Sequence, residues 1–293
     1  MKLRRLVSIL GVVAVTSAPT FPLPFFYDLY TFREDGGGTM VVAAIAVPVE
    51  TLRRERRADG IHYRFDVRFV VADTARRTVY RSDDSVFVAM PYALPGEHLL
   101  HTYVEVHAPP SRATVQRVVV TDAARHGVGQ LYSAPFPIPD YSGTELMLSD
   151  IALGLPGALG GWTRRGVTLA ILPTSQFPES SFDVYYEIYN LPAGTPYETT
   201  IAIEPLDRSD VADRIVRTTF SGRSSARPDA SLAELRRVES ALPEGRYRLT
   251  VTVRDETRGR VATSARVIDV RGWGEGTTMV PALPRGNRRV GWE

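Results

Sequence analysis

The run from Pro243 to Asp255 (Pro-Glu-Gly-Arg-Tyr-Arg-Leu-Thr-Val-Thr-Val-Arg-Asp) constrains the fold more than any other part of this chain. Leu249, Val251 and Val253 alternate with Arg248, Thr250, Thr252 and Arg254, the period of a strand with one face buried and one face wet. Pro243-Glu244-Gly245 is a turn entry, and Tyr247 stands where a β-sandwich strand often begins with a tyrosine pinned across a corner. Asp255 closes the run in the position of a turn-initiating residue. A degraded copy precedes it, with Pro110, Val118, Val120 and Asp122 at the spacing of Pro243, Val251, Val253 and Asp255. Two sandwich-like units in tandem are the expectation.

The same alternation recurs along the chain. The first unit reads as strands at 26–33, 40–48, 62–72, 78–81, 86–90, 101–107, 113–121 and 129–133. The second reads as strands at 145–153, 166–172, 182–191, 197–204, 215–220, 246–254 and 262–270. Ser231 with Glu234 has capping-box spacing, and Leu232, Leu235, Val238 and Leu242 recur at helical intervals, which predicts a short helix over 231–242. The proline-rich stretch from Ala134 to Pro139 separates the units, with the junction at Pro139–Gly143.

The N-terminus follows a different logic. Lys2, Arg4 and Arg5 precede an apolar run from Leu6 to Val15 and the small residues Ser17 and Ala18, the pattern of a secretory signal peptide cut between Ser17 and Pro24. The run is too short to span a bilayer, so no transmembrane segment is expected after cleavage. That segment carries three of the 35 basic residues, leaving 32 against 33 acidic ones and no global case for nucleic acid binding. With no cysteine, disulfides, thiol catalysis and cysteine zinc sites are excluded. Lys2 is the one lysine, which removes Schiff-base chemistry and Ser-Lys nucleophiles from the mature chain.

Chemistry-bearing residues are sparse. His98, His101 and His107 lack the convergence a metal site needs, and the default for the histidines is the surface. Asp207, Asp210 and Asp213 form a loop triplet that is a weak calcium candidate, countered by Arg208 and Arg214. No serine lies in a Gly-x-Ser-x-Gly elbow, and no cofactor is implied. On the strand 182–191, Phe182, Val184, Tyr186 and Ile188 share the inner face, leaving Tyr185 and Tyr189 on the other, either packed across strands as is more common or exposed to bind a partner, helped by Trp162.

Pro243 to Asp255 resembles the late strands of bacterial immunoglobulin-like or fibronectin-like modules. Phe26 to Arg33, Leu148-Ser149-Asp150-Ile151 and Tyr186 to Leu191 resemble the β-rich regions of exported bacterial GWxTD-domain proteins, a family without an assigned function. Gly161-Trp162-Thr163-Arg164-Arg165 begins like the naming motif but lacks its Asp. The resemblance implies export and a double sandwich and carries over no catalytic residue.

The expectation is therefore an all-β protein of two tandem Ig-like antiparallel β-sandwiches. Residues 1–24 form a signal peptide and leader, 25–140 and 141–271 the sandwiches, and 272–293 a mobile tail, draped over the second sandwich if it docks at all. Tyr247, Gly245 and Asp255 are its structural markers. Its expected role is non-catalytic, as an interaction or structural module of the cell envelope, periplasmic or at the surface. The partner would be an envelope protein or a polysaccharide. Two other classes stay open: a carbohydrate-binding module stacking sugars on Tyr185, Tyr189 and Trp162, and an envelope hydrolase with an unrecognised site.

Overall fold

A computed structural model describes residues 22–75, 78–156, 161–177, 181–206, 215–225, 227, 230–239, 242–271 and 279–281. The first half holds β1 (Phe26–Arg33), β2 (Thr39–Pro48), β3 (Glu55–Arg57), β4 (Gly60–Asp73), β5 (Val79–Met90), β6 (Leu99–Ala108), β7 (Thr114–Asp122) and β8 (Gly129–Pro135). The second holds β9 (Met147–Leu148), β10 (Ala152–Leu155), β11 (Trp162–Arg164), β12 (Val167–Ile171), β13 (Gln176–Phe177) and β14 (Ser181–Tyr189). It continues with β15 (Pro196–Pro205), β16 (Val216–Arg223), β17 (Ser231–Glu239), β18 (Gly245–Asp255), β19 (Val261–Val270) and β20 (Met279–Pro281). The one helical turn among the described residues is a 3-10 turn at Val49–Thr51. The chain is all-β, and its sheets are antiparallel apart from two short parallel additions, β13 on β19 and β20 on β6.

Four sheets make three apolar layers. In the first, β1-β2-β6 faces β5-β4-β7-β8 across a core containing Val41, Ile45, Phe65, Phe69, Val104 and Val118. In the second, β10-β14-β17 faces β16-β15-β18-β19 across Phe182, Tyr186, Ile188, Ile201, Leu249 and Val251. The strand order β5-β4-β7-β8 returns as β16-β15-β18-β19, and even the register returns: Phe65 stands opposite Asp122, and Tyr197 opposite Asp255. The last member of the first core is Ile138 and the first of the second is Leu146.

The third layer lies between the two inner sheets. Tyr30, Phe32, Met40, Val42 and Ala44 meet Ala152, Trp162, Leu169, Ile171 and Tyr185. This explains β2, Thr-Met-Val-Val-Ala-Ala-Ile-Ala-Val-Pro, which is buried almost throughout. Alternate residues serve different cores, so a strand covered on both faces reads as a continuous apolar run.

The residues singled out around β18 do local work. Tyr247 is buried and its hydroxyl donates to the Pro243 carbonyl at 2.8 Å, pinning the entry of β18 across the corner. Gly245 sits at φ 153°, in the region glycine enters without strain. Asp255, fully buried, accepts the N–H groups of Thr257 and Arg258 at 3.0 Å each and pairs with Arg260 at 2.9 Å. Asp122 caps its own turn in a similar way, accepting from the Ala124 N–H at 2.8 Å and pairing with Arg125 at 2.7 Å, and it also accepts from the distant Arg53 N–H at 2.9 Å. Replacing Tyr247 by Phe is expected to lower stability by about 1 kcal/mol. Urea unfolding measures it, and an unchanged midpoint would mean that the corner bond contributes nothing.

Several expectations need correction. Residues 231–239 are not helical: they form β17, paired residue for residue with β14 from Ser231↔Tyr189 to Ser181↔Glu239. A long partner strand supplies a ladder of backbone bonds along the whole segment and buries one of its faces, which outweighs a capping box and leucines at helical spacing. Strands expected at 78–81 and 86–90 are one strand, β5, and the strand expected over 145–153 is broken into β9 and β10. The described part of the tail lies on the first sandwich, where Met279–Pro281 pairs with Leu99, Leu100 and His101 of β6. Two histidines expected at the surface, His62 and His101, are buried.

Candidate functional site

The densest polar chemistry among the described residues sits beside the third layer. Because Phe182, Val184, Tyr186 and Ile188 of β14 turn into the second core, Asp183, Tyr185, Glu187 and Tyr189 turn toward the first sandwich. Glu187 is fully buried, and burying a carboxylate is costly unless it is paired and hydrogen-bonded. The pairing is complete. Tyr185 donates its hydroxyl to Oε1 at 2.7 Å and Tyr189 donates to Oε2 at 2.8 Å. Arg164 grips both oxygens, Nε to Oε1 at 2.5 Å and Nη2 to Oε2 at 3.1 Å, and Arg165 Nε stands 3.1 Å from Oε2.

These donors also reach the first sandwich. Arg164 donates to the Arg33 carbonyl at 2.5 Å, and the Arg33 N–H donates to the Tyr189 hydroxyl at 2.9 Å. The Arg33 guanidinium lies 4.4 Å from the Tyr189 ring centre, within cation–π range. Trp162 is packed between Phe32, 5.0 Å away, and Tyr185, 5.3 Å away and edge-on, while its Nε1 donates to Glu105 at 2.8 Å. Gly161 makes that placement possible. It sits at φ 144°, and a Cβ there would stand 2.3 Å from the Leu169 carbonyl oxygen.

Two more polar ties flank the cluster. Asp150 accepts from the Thr31 N–H at 2.9 Å and from its hydroxyl at 2.6 Å. Arg266, on β19, pairs with Asp28 at 2.6 Å and donates to the Leu29 carbonyl at 2.9 Å. Both carry side chains of the second half onto β1, so the two sandwiches are joined by charge as well as by apolar packing.

The tyrosines report the sealing. Burial, and then the Glu187 carboxylate, raise the hydroxyl pKa values of Tyr185 and Tyr189 well above the ordinary range. Burial raises Tyr30 and Tyr141 likewise, with Asp28 and Asp150 adding to it, and pushes Tyr186 up to about 12. A folded-state pKa above the unfolded value near 10 means that the stabilisation is intact below pH 10 and fades as the pH rises through the folded-state values. Ionisation of these five is therefore expected to coincide with alkaline unfolding above pH 10. Phenolate absorbance recorded together with circular dichroism tests this. All 13 tyrosines titrating near pH 10 in an intact fold would contradict it.

Sequence reasoning grouped Tyr185, Tyr189 and Trp162, and the structure does bring them together, but inside. The expected exposure is corrected: each is at most 1% exposed, because a second sheet covers the face that one isolated sandwich would leave wet. Asp207, Asp210 and Asp213 lie outside the described residues. Glu187, Arg164, Arg165, Glu105 and Asp150 were missed. The available signal was an acid set between two tyrosines, Tyr185 and Tyr189, on one face of a largely apolar strand. His101 is held neutral, burial lowering its pKa to about 4, and His107 pairs with Glu34 at 2.9 Å.

The accessible aromatics lie elsewhere. At the flank where the β1 edge of one sheet meets the β8 edge of the other, Tyr132 packs against Phe25 at 5.2 Å and Tyr27 at 5.7 Å. Tyr132 and its neighbour Leu131 are 41% and 51% exposed.

No protein-family model matches this chain, and no curated protein does. Among solved structures, red sea bream transglutaminase is similar over 84% of this chain and 31% of its own, at 13% identity and a TM-score of 0.24. A Bacteroides uniformis β-glucuronidase is similar over 80% and 26%, at 9% identity and a TM-score of 0.28. The chain thus spans less than a third of either protein.

Proposed function

We propose that this chain is a non-catalytic exported protein of two Ig-like sandwiches, working as a rigid interaction or structural module of the cell envelope. The observation that carries the reading is the third layer. The side chains best equipped for chemistry, Glu187, Arg164, Arg165, Tyr185 and Trp162, are engaged in fastening one sandwich to the other. A carboxylate already held by two tyrosines and two arginines has little capacity left for a substrate. The sugar-stacking alternative loses its platform for the same reason, and surface contact remains as the way to act. The test is a pull-down from envelope extract with the purified protein. A stoichiometric protein partner supports the reading, whereas turnover of an envelope polymer by the protein alone would overturn it.

Export makes a prediction of its own. Leu23 and Phe25 belong to the first core, so a signal cut that spares the fold falls before Leu23. The intact mass of the exported protein is expected to show a first residue no later than Leu23. A mature chain starting at Pro24 or beyond, or one retaining Met1, would contradict the processing proposed here.

A further inference from the structure

We infer that the outer edge of β8 is a self-pairing surface, joining antiparallel to the β8 of a second copy of this chain. Among the described residues β8 has one neighbour, β7, so its other edge presents backbone donors and acceptors that no described strand pairs, the template on which another strand adds. Natural edges are usually guarded by charge. Three other edge strands of comparable length among the described residues follow that rule: β5 carries Asp83 and Asp84, β16 Arg217, and β17 Arg236 and Arg237. β8, Gly-Gln-Leu-Tyr-Ser-Ala-Pro, carries none.

The occupant follows from that neutrality. A strand added here must bring no charge to be desolvated and must offer an apolar side chain to the Phe25–Tyr27–Tyr132 cluster. β8 meets both conditions itself. A two-fold at its midpoint sets Tyr132 against Tyr132 of the copy and Leu131 against Ser133, with no like charges facing each other. The result would be one continuous sheet, β5-β4-β7-β8 running into the same strands of the copy in reverse order. Leu131 and Ser133 lie opposite Val119 and Arg117, on the outward face, so substitutions there leave the first core untouched.

This deepens the interaction-module reading and rests on it, since it uses the surface that reading leaves accessible. A seven-residue edge with one aromatic flank is a small interface, so a dissociation constant on the order of 10 μM is expected. Sedimentation of the mature protein across that range should show a monomer–dimer equilibrium. Leu131→Glu combined with Ser133→Glu places two acidic pairs across the two-fold and is expected to yield monomer at every concentration, with an unchanged dichroism spectrum. The chain has no cysteine, so Tyr132→Cys can form a disulfide only with another copy, and mild oxidation is expected to link dimers through it. A wild-type protein that stays monomeric at high concentration overturns the proposal while leaving any envelope partner intact. A dimer that survives both glutamates, or that fails to cross-link at Tyr132, overturns it as well.

Discussion

Replacing Glu187 by Ala is expected to cost about 3–5 kcal/mol, the usual penalty for removing one partner of a buried ion pair. The variant leaves Arg164, whose side chain is 13% exposed, beside a hole where its carboxylate stood, while Arg165, 5% exposed, keeps Asp35 at 2.7 Å. Tyr185 and Tyr189 lose their acceptor in the same step. Gln at this position keeps the shape and one acceptor oxygen, so Glu187→Gln should recover part of the loss but not the charge term. Urea unfolding of the three proteins decides the matter. A loss under about 1 kcal/mol for the Ala variant would mean that the cluster is solvated and the junction is not sealed.

Trp162→Ala is the second large effect, expected at about 3–5 kcal/mol for a large aromatic emptied from a core. The cavity would open between Phe32 and Tyr185, and Glu105 would lose its indole donor. What distinguishes this site from an ordinary core position is where the damage falls. The first and second cores keep all their members, so the variant weakens the coupling between sandwiches more than either sandwich alone. Calorimetry should therefore show one transition in the wild type and two in the variant. A single transition at a barely shifted temperature would show that the third layer contributes little.

Of these two residues sequence reasoning singles out Trp162, with the wrong exposure, and passes over Glu187. Tyr185, Tyr189 and Trp162 were singled out as an exposed platform, on the argument that one sandwich buries one face of each sheet. That argument fails when a sheet packs against a second sheet through its outer face. Period-2 alternation reports which residues share a side but not whether that side meets water. The β2 run, apolar at nearly every position, was the one local sign that both faces would be covered. The pairing of Glu187 with Arg164 has no local signal: they stand 23 residues apart, and no local spacing rule links an acid on one strand to an arginine on another.

Local pattern alone determined much of this protein: its all-β class, most strand positions, the turn aspartates Asp122 and Asp255, and the Tyr247 corner bond. These depend on neighbours within a few residues, or on a face periodicity that short stretches already display. Tertiary structure alone decided that 231–239 would be strand, that the tail would pair at β6, and that the tyrosine face would be sealed between two sandwiches. Each of those outcomes was set by a partner strand or sheet distant in the chain. The backbone bonds and desolvation supplied by such partners outweigh the preferences of the segment itself.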